Sequence, residues 1–425
     1  MAIHQKWEIL VLDDVDFNKA FFEFAKEAGR SLVFLGRNFA GIRNEMRIIH
    51  AFYQYYPVIG GQERTIAGLA EEQAKLGHEV HVITSTYGAE DKPLEETLNK
   101  VHVKRLKAWR LHYPDFTIPK ALPKELLKNA DIVHAHGHDS LFNIRILNEA
   151  FKLGVKNVCY FMAVDAFKDH PNLFIRFLGP YYGRMTTCIA LKMTNLVLVK
   201  SIRDLKILKK AYGAEATYLP DAIPDYYFTV KKGDPEEFRE RFGIKQEKIF
   251  LFIGRVHRFK GPHILVKALK YVDENTAAVF IGPDGGYLKE TLNLAERIGV
   301  RDRVYMLGFV DEKTKIHALD SAVALVLPSI ADRVEVYSLV ISEAWAREKP
   351  VIGSNVGEIP YRISYGLNGL LVNPLDPKTL AEAMIKLASN KELAIKMGKQ
   401  GKTSVLSWND VALKSIELYE HAIRQ

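Results

Sequence analysis

Cysteine is nearly missing from this 425-residue chain: there are two, Cys159 and Cys188, both inside apolar stretches. So few thiols exclude a disulfide framework and a cysteine-built metal centre, and they fit a reducing, cytoplasmic compartment. Glutamine is scarce beside abundant Lys, Arg and Glu, the balance found in heat-adapted proteins. Long apolar runs are lacking too. The longest, Asn172 to Lys200, is interrupted by Arg176, Arg184 and Lys192, and none reaches the ~20 residues of a spanning helix. Acids stand in the opening MAIHQKWEILVLDD where a secretory leader has its apolar segment. The expectation is a protein that is neither secreted nor membrane-spanning. No aromatic-basic module of the RNA-binding kind occurs, so nucleic acid is not an expected partner. The net charge of +8 then leaves a phosphorylated small molecule, an anionic membrane surface, or scattered surface lysines.

What is present is a globular composition, 48% apolar and 26% charged, in a chain long enough for two domains of roughly 200 residues. From Met46 the pattern is regular. MRIIHAF reads as a buried strand, YQYYPVIGG as a loop and Gln62 to Leu76 as a helix, stopped by Gly77. EVHVITS, VHVKRL, DIVHAH, NVCYFM, NLVLV and ATYLP are further strands with helical stretches between most of them. Such alternation predicts a parallel sheet covered on both faces. After the charged TVKKGDPEEFRERFGIKQEK the pattern restarts with KIFLFIG, AAVFIG, VYMLG, VALVLP, PVIGS and GLLV, and a last helix runs from Trp408 to Arg424. The fold class expected is α/β, with two Rossmann-like doubly wound domains. The expected boundaries are 46–228 for the first domain, 229–404 for the second and 405–425 for a closing helix. Residues 1–45 form a candidate strand–helix–strand extension, or follow a start codon set too far upstream; LDDVD within them reads as a turn.

Four motifs carry chemistry. Glu335 and Glu343, with seven residues between them, follow the strand VALVLPS into a helix, where ligands of open parallel sheets collect. Ser338 is a candidate N-cap, leaving N–H groups near Ser338, Leu339 and Val340 aimed at an anion. Glu343 can accept from a vicinal diol such as ribose, and Glu335 can hold sugar hydroxyls; solvated helix charges are the plain reading of such a pair. GRVHRFKG places Arg255 and Lys260 around a loop that opens a helix at Pro262, suited to neutralising a diphosphate. Gly60-Gly61 permits positive φ and close approach to a phosphate or sugar, although the dinucleotide fingerprint spacing is missing. In HAHGHDS, His134 and His136 face one side. No further ligand has metal spacing, so one histidine is expected to meet a sugar hydroxyl in the cleft and the other to sit in the core.

In their order, these motifs make the chain resemble the retaining GT-B glycosyltransferases with the Glu-x7-Glu signature (group 1, family 4 type). The resemblance runs from Met46 to the C-terminus, through the Gly-Gly loop, DIVHAH, LPDAIPDYYF, GRVHRFKG, VYMLGFV, EAWAREKPVIGSNVGEIP and GLNGLLVNPLDP. It implies a hexosyltransferase that uses a nucleoside-diphosphate sugar, UDP- or GDP-linked, with no metal or other cofactor, and a hydroxyl acceptor on a glycolipid, polysaccharide or small sugar. By this resemblance Arg255 and Lys260 hold the diphosphate, Glu343 the ribose, Glu335 the donor sugar, and the backbone of Tyr305 to Gly308, Leu307 included, the base. Tyr337, Ser338, Leu339 and Val340 line the donor loop, Gly60 and Gly61 lie near the phosphate, and His136 lies near the transferred sugar. Catalytic roles fall to Glu335, His136, Lys260 and Arg255, and the helix from Trp408 returns to the first domain. The family commonly has glycine where this chain has Val336, Ser338 and Glu358, which narrows the donor space or shifts its loop. A GT-B epimerase and a non-catalytic nucleotide-sugar-binding protein are the rival readings. The aromatic-rich stretch Phe161 to Arg184 reads either as a buried helix or as a peripheral contact with a membrane's inner face carrying a lipid-linked acceptor.

Overall fold

The computed structural model describes residues 45–425 apart from 59, 112–115, 166, 168–172 and 333–334. The expected N-terminal extension and the LDDVD run lie outside the described residues. The first half holds β1 (Arg47–Ala51), β2 (Glu79–Ser85), β3 (Glu95–Leu98), β4 (Val101–Leu106), β5 (Ala108–Arg110), β6 (Thr117–Pro119), β7 (Ile132–His136), β8 (Asn157–Phe161), β9 (Leu196–Val199) and β10 (Thr217–Tyr218). Eight of these form one sheet in the order β10-β9-β8-β7-β1-β2-β4-β3. All its neighbours are parallel except β3 with β4. The central strands β7 and β8 are buried along their whole length, because helices cover both faces.

The second half holds β11 (Lys248–Ile253), β12 (Thr276–Ile281), β13 (Val304–Gly308), β14 (Ala324–Leu327), β15 (Val351–Ser354) and β16 (Gly369–Val372). They form a six-stranded, all-parallel sheet in the order β13-β12-β11-β14-β15-β16. Alternate side chains of β11 feed opposite cores: Phe250 and Phe252 pack with Leu265 and Met384, while Ile249 and Leu251 pack with Ile341 and Trp345.

The two halves are joined twice, and the crossings run side by side: Ile223 N–H donates to Leu406 O at 3.2 Å. The last helix, Trp408–Arg424, starts at a capping box between Ser407 and Asp410 and lies on the first sheet's helix Gly61–Lys75. The approach is close: a Cβ on Gly68 would sit 2.5 Å from the Trp408 indole. Gln73 Nε2 donates to Ser415 Oγ at 2.8 Å across the same seam.

Two features depart from the expected all-parallel pattern. EETL (β3) pairs antiparallel on the sheet edge, and β5 with β6 makes a separate hairpin. An edge strand keeps one row of backbone groups open to water, so it needs no apolar alternation and shows none.

Candidate functional site

The carboxyl ends of β11 and β14 converge on one loop pair. Beyond β11, His257 caps a short turn over Arg258–Lys260, accepting from Phe259 N–H at 3.3 Å. Gly261 then opens the helix Pro262–Ala268 with φ +70°, and a Cβ there would lie 1.9 Å from the Pro328 carbonyl oxygen. Ile330 N–H donates to Phe259 O at 2.9 Å. The GRVHRFKG loop is therefore pressed on the loop after β14, and Lys260 meets Glu335: Nζ to Oε1 is 2.8 Å. Ser329 Oγ donates to the same oxygen at 2.5 Å. The Glu335 residue is 1% exposed, yet its Oε2 has no hydrogen-bond partner among the described residues. Gly357, at φ +57°, backs this loop so closely that a Cβ would stand 2.6 Å from the Glu335 carbonyl oxygen. Arg255 is exposed, and its guanidinium makes no ion pair among the described residues.

Glu343 repeats the arrangement in the helix Leu339–Ala346. Lys315 Nζ donates to Oε1 at 3.0 Å, while the buried Oε2 has no hydrogen-bond partner among the described residues. Ser338 occupies the N-cap position, but its side chain makes no capping bond and its buried Oγ is also unpartnered. The expected side-chain cap fails because the backbone is left-handed (φ 55°). That conformation favours glycine, so the serine is strained there. Arg362 braces the turn from beneath, donating to Tyr337 O at 2.6 Å, Ser338 O at 2.9 Å and Ser342 Oγ at 2.6 Å, with its guanidinium 4.0 Å from the Tyr337 ring centroid. Leu339 and Val340 are half-buried and pack on the second core. On β13, Tyr305 and Leu307 are half-buried, and the Tyr305 hydroxyl bonds Gln246 Oε1 at 2.9 Å.

From the first domain, Arg64 reaches Glu312 at 3.1 Å; Lys315 joins Glu312 at 2.9 Å and Glu343 at 3.0 Å. This ion chain ties the start of the Gly61–Lys75 helix, and so the Gly60-Gly61 turn, to the second acid. The expected positive φ is not used: Gly60 is extended at φ −136°, and neither glycine is left-handed. A Cβ on Gly60 would lie 2.3 Å from Glu63 Oε2, while Gly61 has open space around it. Neither glycine uses its backbone freedom, and only Gly60 has a close neighbour, the carboxylate end of Glu63.

The expected place of His136 in the cleft is wrong. His136 and His134 are both fully buried under the last helix, because β7 is central and its histidine face is the one that helix covers. His134 Nδ1 meets Tyr419 OH at 2.6 Å, His136 Nε2 meets His50 Nδ1 at 2.9 Å, and His50 Nε2 meets Gln73 Oε1 at 2.7 Å. The expectation that no further ligand joins the pair is also wrong: in-register pairing of His50 with His134 brings in a third imidazole, and one nitrogen of each lies within 4.8 Å of the others. Burial lowers the pKa of all three, His50 to about 4. The trio is a chain of neutral imidazoles stitching the last helix to the sheet. Sequence reasoning also missed Ser329, Lys315 and Arg362. Nothing in local spacing marks them, since each acts through a fold contact.

Glu358 is spent on the other domain. Its carboxylate, 1% exposed, accepts from Ile202 N–H at 2.8 Å and Arg203 N–H at 3.2 Å, while Lys206 Nζ lies 5.0 Å over the Tyr361 ring. Burial, opposed by the two backbone N–H groups, pushes its pKa up to about 8. The folded chain thus keeps a proton that the unfolded chain loses near its ordinary value of 4.5. The latch's contribution to stability is complete below that value and is lost as pH rises through about 8. Glu358→Gln removes the titration while keeping an acceptor. The expected result is a wild-type thermal midpoint that falls relative to the variant between pH 5 and pH 9; parallel profiles would refute the assignment.

Two doubly wound domains whose strand ends meet across a cleft define the GT-B fold. The comparisons agree with it. Residues 234–404 match the family described as glycosyl transferases group 1, and residues 59–223 match glycosyltransferase family 4. Each half of the chain thus matches a glycosyltransferase family model, and the fold is that of the GT-B glycosyltransferases. An uncharacterized glycosyltransferase of Methanocaldococcus jannaschii is 26% identical over 89% of this chain and 99% of its own length. The N-acetyl-α-D-glucosaminyl L-malate synthase of Bacillus anthracis is 26% identical over 82% of this chain and 90% of its own. Among solved structures, a sucrose-phosphate synthase from Thermosynechococcus elongatus superposes with a TM-score of 0.70 at 21% identity, covering 89% of this chain and 99% of that one. Anabaena HepE in complex with UDP also gives 0.70, at 16% identity, covering 88% and 100%.

Proposed function

We propose that the chain is a retaining glycosyltransferase that moves a hexose from a nucleoside-diphosphate sugar, UDP- or GDP-linked, to a hydroxyl acceptor, without a metal. One observation carries the reading. Two buried carboxylates at the mouth of one helix each have one oxygen fixed by a lysine and the other without a hydrogen-bond partner among the described residues. A buried acceptor left unpaired costs about 1–3 kcal/mol, so the pair is suited to ligands that bring hydroxyls. Glu335 would take hydroxyls of the transferred sugar and Glu343 those of ribose. Arg255 and Lys260, with the first N–H groups of the Leu339–Ala346 helix, would hold the diphosphate and stabilise charge on the departing phosphate. The buried histidines offer no base in the cleft, so same-face attack, with the donor phosphate assisting removal of the acceptor proton, fits these groups best. They then act by positioning and electrostatics. HepE was solved with UDP and the malate synthase's name records a small polar acceptor, which favours nucleotide sugars as donors here.

The test is a thermal-shift panel of UDP-, GDP- and ADP-sugars, with NAD as control, on wild type and Lys260→Ala. At a hundredfold excess over Kd the matching donor should stabilise wild type by about 2.7 kcal/mol and fail to do so in the variant. Stabilisation by NAD, or by no nucleotide sugar, would sink the reading.

A further inference from the structure

The helix Leu173–Met193 is built inside out. Its inward face is small: Gly179, Gly183, Thr186, Thr187 and Ala190 are buried, and a Cβ on Gly179 would stand 2.7 Å from Phe167 Cβ, so the helix seats tightly on that ring. Its large apolar side chains point outward instead. Leu173, Phe177, Tyr181 and Met185, four residues apart, are 68%, 71%, 71% and 52% exposed, and Leu178 and Ile189 widen the stripe. Burying small residues while exposing a Phe and a Tyr reverses the usual arrangement of a soluble helix, and a contiguous exposed stripe of this kind marks a binding face.

The charge pattern says what binds. Arg176, Arg184 and Lys192 are exposed along the same helix, and its 21 residues include no Asp or Glu. A second copy of the chain docking by two-fold symmetry would bring these cations together unpaired, so the stripe is poorly suited to self-association. An anionic lipid surface accepts both the apolar side chains and their cationic flank. No helix among the described residues is long and apolar enough to cross a membrane, so this one can lie on a bilayer without spanning it. A second exposed aromatic–cation pair lies on an element that touches this helix. The β5–β6 hairpin carries the half-exposed Trp109 with Lys120 Nζ 5.6 Å from its ring, and Phe116 beside it meets Tyr182 of the helix at 5.0 Å between ring centroids. Tyr182 OH also donates to Asp139 O at 2.5 Å, fastening the helix to the loop beyond β7 at the carboxyl edge of the first sheet.

We propose that the outward face of Leu173–Met193 docks the protein on an anionic bilayer, its axis along the surface, so that the cleft edge of the first domain faces acceptors held there. The docking stands apart from the donor-site reading, since none of these side chains belongs to the two-carboxylate site.

The test is co-sedimentation of the full chain with vesicles of phosphatidylcholine alone and of phosphatidylcholine mixed with phosphatidylglycerol. Wild type should pellet with the mixed vesicles and release as salt rises. Phe177→Ser with Tyr181→Ser should bind at least about ten-fold more weakly, from the apolar area lost. Arg176→Gln with Arg184→Gln should lose roughly five-fold per charge. Both variants should keep the wild-type response to nucleotide sugar in thermal shift, which separates a failure of docking from a failure of the donor site. Wild type left in the supernatant at low salt, or variants that pellet as wild type does, would overturn the proposal. So would a wild-type dimer by light scattering that the Phe177/Tyr181 variant splits, because the face would then belong to a second copy.

Discussion

Lys260→Ala should lower turnover by about 10²–10³ while the protein stays folded, the usual loss when one fixed stabilising group is removed from a water-poor site. The size follows from the position of Lys260 rather than from its charge alone. Its ammonium is 2.8 Å from Glu335 Oε1, at the open end of a loop fixed by Gly261 against Pro328. On the proposed donor assignment it can serve a departing phosphate without reorganising, and it holds Glu335 in place for the sugar. Glu335→Ala should fall in the same range. Because the two act as a unit, the double variant should cost little more than either single one, as coupled groups usually do. Lys260→Arg is a useful companion: it keeps the charge but replaces a point donor by a planar fork, so partial activity would assign part of the effect to charge and the rest to fit. Turnover within a few-fold of wild type in a folded Lys260→Ala protein would falsify the electrostatic role. Full additivity in the double variant would show that the ion pair is incidental.

Much of the scaffold around that pair was legible in the chain. Strands such as DIVHAH and KIFLFIG are short apolar runs stopped by Gly or polar residues, and the last helix runs from Trp408 to Arg424 as expected. Buried parallel strands write themselves into a sequence because both faces must be apolar. The acids were legible as a spacing on a strand-to-helix junction. What was not legible depends on contacts between distant elements. The fate of His136 is decided by which face of β7 the last helix covers, and the partners of the two acids, Lys315 and Ser329, come from another helix and another turn. EETL carries no apolar alternation because it lies on an edge, and so no period betrayed it.

The departures from the family's glycines acquire distinct meanings in three dimensions. Ser338 stands where the backbone is left-handed, and Arg362 holds that turn through two carbonyls. The strain of about 1–2 kcal/mol for a side chain there is thus borne by a bracket that sits directly under the donor loop. Glu358 does something different: it reaches two backbone N–H groups of the first domain. A glycine there would leave those donors to water, so the Glu358 side chain ties the two domains together at this point. The Arg64–Glu312–Lys315–Glu343 ion chain is a second tie across the cleft. On the proposed assignment of Glu343 to the ribose, this chain couples donor binding to the interdomain link, since Lys315 holds the acid and completes that link.

Gly261→Ala is the second large expectation, and it tests whether loop geometry, rather than the identity of the charged residues, sets the site. Two costs add. The residue has φ +70°, which a Cβ makes worse by roughly 1–2 kcal/mol. The added carbon would also lie 1.9 Å from the Pro328 carbonyl oxygen, so backbone must move, typically at a further 1–3 kcal/mol. The displaced segment carries Lys260 on one side and Ser329 on the other, and a shift of about 1 Å in a positioned group can cost 10²-fold in rate. Gly243→Ala is the matched control. It has nearly the same backbone, φ +63°, but nothing lies within 4 Å of the added Cβ. The control should lose only the strain share of stability and keep wild-type turnover, whereas Gly261→Ala should lose more stability and about 10²-fold in activity. If both variants lose the same stability and both remain active, the contact with Pro328 does not hold Lys260 in register, and the loop adjusts around it.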